Sequence, residues 1–171
     1  MRRLLLLRHA KAEQAGKDDQ ARKLTEQGRK DAARIGAWLR KHYAIDLVLC
    51  SPAARTRETW QLVAEEIGGG LDAKFPKSLY LAPAAAMLSI MQGAAGEAQT
   101  VLIVGHNPGT EELAATLARV PQSKDELRWR ETMAEKFPTA ALAVIEFHID
   151  RWRDVAPHAG ALAVFLRPKD L

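Results

Sequence analysis

Short apolar runs alternate with longer amphipathic stretches along this chain. Leu4–Leu7 is a run of four leucines closed by Arg8-His9, short enough for a buried strand rather than a helix. A polar loop follows to about Lys23. Thr25 is placed to cap a helix reaching about Lys41, with Ala32, Ile35 and Leu39 at helical spacing. Leu47–Cys50 reads as a second buried strand. Ser51-Pro52 then supplies a cap and a first-turn proline for a helix that ends at Ile67, before Gly68-Gly69-Gly70.

Residues 74–80 read as a short third strand, and Pro83 opens a helix to about Gly93. Thr100–Val104 is the clearest strand. Asn107-Pro108 repeats the cap-plus-proline pattern ahead of a helix to about Arg119. The stretch 121–137 is charged and flanked by prolines, which suggests a short excursion or lid. Ala141–Ile149 and Ala161–Leu166 complete the pattern as two strands joined by a turn around Asp150–Pro157, an antiparallel hairpin. The alternation predicts an α/β fold: a three-layer α/β/α arrangement with a mostly parallel central sheet and a C-terminal antiparallel hairpin at its edge. No repeat or linker divides residues 1–171, so one domain is expected.

Composition narrows the class. The chain has 171 residues, 47% hydrophobic and 27% charged, in the range of a soluble globular domain. Met1-Arg2-Arg3 and the leucines after it begin like a secretory signal, but the apolar run is far too short for one. No run approaches the ~18 apolar residues of a membrane span. A single cysteine, Cys50, cannot form an internal disulfide and fits a reducing cytoplasm. The cytoplasm is therefore the expected location, with no membrane partner.

The net charge of +4 is unevenly spread: residues 1–60 hold 14 Lys/Arg against 7 Asp/Glu. An excess confined to one third of the chain favours an anionic ligand or an acidic partner. The basic residues are scattered through helical stretches and no nucleic-acid motif is present, so no nucleic-acid partner is expected.

Three expected strands end in polar residues suited to one task. These are Arg8-His9, then Ser51-Pro52-Ala53-Ala54-Arg55, then Gly105-His106-Asn107-Pro108-Gly109. In a parallel sheet the three loops share the carboxyl edge, where open α/β folds bind ligands. Histidine can act there as a nucleophile, and guanidinium groups can hold an anion while it does so. Helix N-termini behind Ser51 and Asn107 would add N–H groups favourable to phosphate, and Gly105 would allow a close backbone approach. Singly, each has an ordinary alternative: Arg55 as a solvated helix residue, His106 as a cap or core residue. Their joint occurrence at three strand ends favours a phosphate site.

In this order and spacing the chain resembles the histidine phosphatase superfamily. The resemblance rests on Arg8-His9-Ala10, on Ser51-Pro52 followed by Arg55, and on Gly105-His106. Arg22-Lys23-Leu24-Thr25, Leu79-Tyr80-Leu81-Ala82 and Phe137-Pro138-Thr139-Ala140 resemble the short SixA-type branch of protein-histidine phosphatases. The resemblance implies His9 as the nucleophile and Arg8, Arg55 and His106 as the lining of the phosphate pocket, with Arg22 a further contact. It also implies chemistry without a metal or organic cofactor. Neighbouring guanidinium groups would keep His9 neutral and stabilise a phosphoryl group in flight.

The leaving group bears on the substrate. An alkoxide needs a positioned acid, whereas an imidazole leaves with little help. Ester-cleaving relatives carry an acid after the third strand or directly after the second histidine. Here Asn107 follows His106, and 79–86 contains no carboxylate. Glu13, Glu58, Glu111 and Glu112 lie near the motifs but read first as solvated charges. A phosphohistidine phosphatase acting through phospho-His9 is therefore expected, on a protein such as a histidine phosphotransfer domain or a phosphocarrier. A small-molecule phosphomonoesterase, or a non-catalytic phosphate-binding module, are the alternatives. Trp129 and Trp152, each between arginines, are expected to bury against the sheet or to dock a partner.

Overall fold

The parity of the leucine run organises the molecule. In the computed structural model, which describes residues 1–14, 16 and 18–171, the first strand, β1, spans Arg2–Arg8. Leu4 and Leu6 point to one core cluster and Leu5 and Leu7 to another, all four fully buried. A strand buried on both faces needs apolar residues at every position, as this run supplies. Each such side chain contributes about 1.5–3 kcal/mol by leaving water.

The remaining strands are β2 (Leu47–Cys50), β3 (Ala73–Lys74), β4 (Thr100–Gly105), β5 (Leu142–Phe147) and β6 (Ala161–Leu166). They form one sheet in the order β3-β2-β4-β1-β5-β6. β1, β2, β3 and β4 run parallel, while β5 is antiparallel to both β1 and β6. The hairpin expected at the C-terminus therefore lies at the sheet edge.

Helices α1 (Glu26–His42) and α2 (Ala54–Ile67) cover one face through Ile35, Leu39, Trp60 and Val63. Gly36 lets them approach closely, since a Cβ there would lie 2.8 Å from Val63 Cα. Helices α3 (Ala84–Ala94), α4 (Gly109–Leu117) and α5 (Lys124–Glu135) pack on the other face through Met87, Met91, Leu113, Leu117 and Met133. The chain thus moves from one face to the other between β2 and β4. The carboxyl ends of β1 and β4 meet at the point where such sheets open a ligand crevice.

Several sequence expectations change. The third strand expected at 74–80 is only Ala73–Lys74; Pro76 cannot donate to a ladder, and a 3-10 turn at Lys77–Leu79 follows. Residues 121–137 are no lid: Ser123 Oγ caps α5 by accepting from Glu126 N, and the helix packs on the face beside β6. Ser51 caps no helix, because α2 begins at Ala54 after Ala53. Thr25 caps α1 as expected, its Oγ1 accepting from Gly28 N at 3.0 Å. Trp152 is buried with its indole N–H on Ala98 O, and Trp129 is partly buried against the same core. Cys50 is free and buried. Ala15 and Lys17, in the polar loop expected between β1 and α1, lie outside the described residues. Among the described residues no helix is long and apolar enough to cross a membrane.

Candidate active site

Strand register delivers the site. Arg8 of β1 pairs with Gly105 of β4, and Cys50 of β2 pairs with Val104. The residues that follow, His9, His106 and Ser51, therefore leave the sheet at one level and on adjacent strands. His9 N donates to Gly105 O at 3.0 Å, and Ala140 N donates to the carbonyls of Arg8 and His9. Thr59 Oγ1 accepts from Ala10 N at 3.0 Å and donates to Arg55 O at 2.7 Å, tying the loop after β1 to α2. The backbone around His9 is held from three sides.

These residues border a cavity of about 450 Å³. Arg8, His9, Arg55 and His106 all face it, as does Arg22. The five side chains singled out from the sequence are thus brought together. The rings of His9 and His106 lie 5.5 Å apart.

Hydrogen bonding fixes both tautomers. His9 Nδ1 lies 2.8 Å from Ala10 O; a carbonyl can only accept, so Nδ1 carries the proton and Nε2 keeps its lone pair. His106 Nδ1 lies 3.2 Å from Arg55 Nη2. A guanidinium can only donate, so His106 holds its proton on Nε2 and donates it to Ser51 Oγ at 2.6 Å.

Both rings are neutral at ordinary pH. Burial pushes His9 down to about 4; the bond to Ala10 O opposes this, and Arg55, Arg8 and Arg22 add to it. Burial, then the charge on Arg55, pushes His106 down to about 3. Arg8 donates to Phe137 O at 2.8 Å from the turn after α5. The Nε atoms of Arg8 and Arg55 are buried and, among the described residues, have no partner.

Three contributors were not singled out for the site from the sequence. Asp19 lines the cavity, and its carboxylate accepts from Arg55 Nη2 at 3.1 Å, from Arg22 Nη1 at 3.1 Å and from the Tyr80 hydroxyl. Those donors, Tyr80 foremost, hold Asp19 well below the usual carboxylate range, so it is ionised. The same bond raises the Tyr80 phenol above its ordinary value. Ser51, expected as a cap, is instead the buried acceptor for His106. The adjacent acids Asp18-Asp19 ahead of Arg22 were the available signal for Asp19.

The glutamates near the motifs point elsewhere. Glu58 accepts from Leu24 N at 2.9 Å and pairs with Arg29. Glu111 accepts from Asn107 Nδ2 at 3.3 Å, while Glu13 and Glu112 are exposed. None borders the cavity. Gly105 serves packing rather than ligand approach: a Cβ there would meet Thr110 Oγ1 at 3.1 Å and Met87 at 3.3 Å. Asn107 caps α4 from outside the helix, its Oδ1 accepting from Glu111 N at 3.2 Å.

Residues 4–79 match the family model of the histidine phosphatase superfamily, branch 1. The chain is 31% identical to a candidate SixA phosphohistidine phosphatase of Nakamurella multipartitia, with a TM-score of 0.82 over 98% of this chain and 96% of that one. A second candidate SixA structure, from Agrobacterium tumefaciens, is 34% identical, with a TM-score of 0.77 over 98% of each chain. A SixA phosphohistidine phosphatase homolog of Haemophilus influenzae is 32% identical over 67% of this chain and 76% of its own. The chain belongs to the histidine phosphatase superfamily, in its SixA-type branch, and is a phosphatase.

Proposed function

We propose that this phosphatase removes the phosphoryl group from a histidine of another protein, passing it through His9. The observation that carries the reading is the His9 tautomer. With Nδ1–H donated to Ala10 O, a neutral Nε2 lone pair remains beside Arg8, Arg55 and His106.

The Nε2 lone pair of His9 forms a bond to phosphorus as the N–P bond of the substrate breaks. The departing ring, protonated by solvent at its other nitrogen before the bond breaks, keeps the electron pair and leaves as a neutral imidazole. Water then attacks phospho-His9, the N–P bond breaks, and inorganic phosphate leaves with His9 restored. Arg8 and Arg55 stabilise the equatorial oxygens in both steps, and His106 and Arg22 complete the pocket. As proposed, the step draws its charge stabilisation from the guanidinium groups rather than from a metal ion.

The choice of an N–P over an O–P bond is supported by the protonation states around the cavity. Among the described residues Asp19 supplies its only carboxyl group, and that group is ionised by its donors. It has no proton for a departing alkoxide. An imidazole requires none. A histidine phosphotransfer domain or a phosphocarrier in the cytoplasm would meet these needs.

The test offers the purified protein three substrates in parallel: a phosphohistidine protein, phosphoramidate and an alkyl phosphate ester such as glycerol phosphate, with and without EDTA. The expected result is chelator-insensitive turnover of the N–P substrates, at least about a hundredfold above the ester. Equal rates on ester and N–P substrates would contradict the reading and favour a small-molecule phosphomonoesterase.

A further inference from the structure

We propose that Leu81, with Pro83 and Pro108, forms an apolar contact that docks the substrate protein beside its phosphohistidine. This rests on the phosphohistidine-protein reading above and adds which surface recognises the protein part.

Leu81 borders the cavity mouth yet is 53% exposed, one of the few large apolar side chains so placed. Its backbone lies in the left-handed region, at φ 49°, which a leucine adopts only at a cost. Exposure of an apolar side chain and a strained backbone both oppose folding. A leucine held under both costs at a cavity mouth is available for a contact outside the monomer.

The surroundings fix this residue in place. Tyr80 on one side is tied to Asp19 through its hydroxyl. On the other side Ala82 N donates to Leu79 O at 3.2 Å, and Ala82 itself is buried. A Cβ at Gly109 would lie only 2.0 Å from Ala82 O, so the turns carrying Leu81 and Pro108 abut. Leu81 borders the mouth, and Pro83 and Pro108 are exposed on the two turns that abut beside it. Lys11 and Arg22 also border the cavity, adding positive charge. A phosphate ion or small phosphoramidate has no use for the apolar side chains. A protein surface with an apolar side chain next to its phosphohistidine, and acidic residues around it, matches both features.

Three substitutions separate the contact from the fold. Leu81→Gly and Leu81→Asn both accept the left-handed backbone, and Leu81→Met keeps an apolar side chain. Turnover is compared on a phosphohistidine protein and on phosphoramidate. The expected result is that Leu81→Gly and Leu81→Asn raise KM for the phosphoprotein about tenfold, leave phosphoramidate turnover within about twofold, and that Leu81→Met stays near wild type. Unchanged KM for the phosphoprotein in Leu81→Gly would overturn the docking contact alone. Equal losses on both substrates would overturn it too, by making Leu81 part of the cavity's own architecture. A wild-type protein active on phosphoramidate but inert on phosphoproteins would instead overturn the function on which this contact rests.

Discussion

Arg55 donates through Nη2 to Nδ1 of His106 at 3.2 Å, and this bond dictates where the His106 proton must be. The opposite nitrogen then requires an acceptor, and buried Ser51 provides it. The phosphate-facing side of the site is thus oriented by a serine that no phosphate oxygen needs to touch.

Ser51→Ala removes that acceptor and leaves the Nε2–H of His106 buried without a partner. A loss of about 1–3 kcal/mol in stability is expected, with kcat/KM lower by about 10–100-fold. Chemical denaturation and steady-state kinetics measure the two effects, and Ser51→Thr should restore most of each. NMR of His106 nitrogens should show a mixed tautomer in Ser51→Ala and a single one in wild type.

The two histidines also set an acid limit to stability. Their folded-state values, about 4 for His9 and about 3 for His106, lie below the unfolded value of about 6.5. Below that unfolded value the unfolded chain binds protons that the folded chain refuses. Stability is therefore complete above pH ~6.5 and falls as the pH drops toward the folded values. Denaturant midpoints between pH 7 and 4 should show this slope, and the His9→Ala, His106→Ala double variant should flatten it. Activity should persist below pH 6, with the acid limb of kcat/KM near pH 4.

Asp19 places a negative charge on the same guanidinium that a phosphoryl group must use. Asp19→Asn keeps the shape and removes the charge. Inorganic phosphate should then inhibit about three- to tenfold more strongly, with the difference shrinking at high salt. Inhibition constants at two ionic strengths measure this.

Gly109 is sterically committed. Gly109→Ala would drive a Cβ to 2.0 Å from Ala82 O, which neither backbone can accept in place. A loss of roughly 2 kcal/mol or more is expected from such a clash, together with a lower kcat because the Tyr80 turn must shift. Thermal unfolding and kinetics test the pair of effects.

Much of this arrangement was legible because the fold places residues by register. Arg8 ends a buried strand, His9 and His106 directly follow one, and Arg55 lies in the first turn of the helix after another, so the parallel sheet and its connections assemble them. The leucine run likewise declared a strand buried on both faces. For Asp19 the acidic pair ahead of Arg22 is the one hint, and it does not place the residue, which reaches the cavity from a polar loop whose course no periodicity specifies. The run 74–80 reads as a strand through Tyr80, but Pro76 breaks the pairing and a 3-10 turn carries the phenol to Asp19. Ser51-Pro52 has the composition of a helix start, but tertiary demand for an acceptor at His106 outweighed the local cap. The excursion at 121–137 failed for a related reason: its charges lie on the outer face of a helix whose Met133 is buried.

The most direct measurement is rapid-quench mass spectrometry of the protein mixed with a phosphohistidine substrate under alkaline quench, which preserves N–P bonds. A transient phosphoryl group on His9, absent in His9→Ala along with all turnover, is the expected result. Labelling of another residue, or full turnover by His9→Ala, would contradict the mechanism.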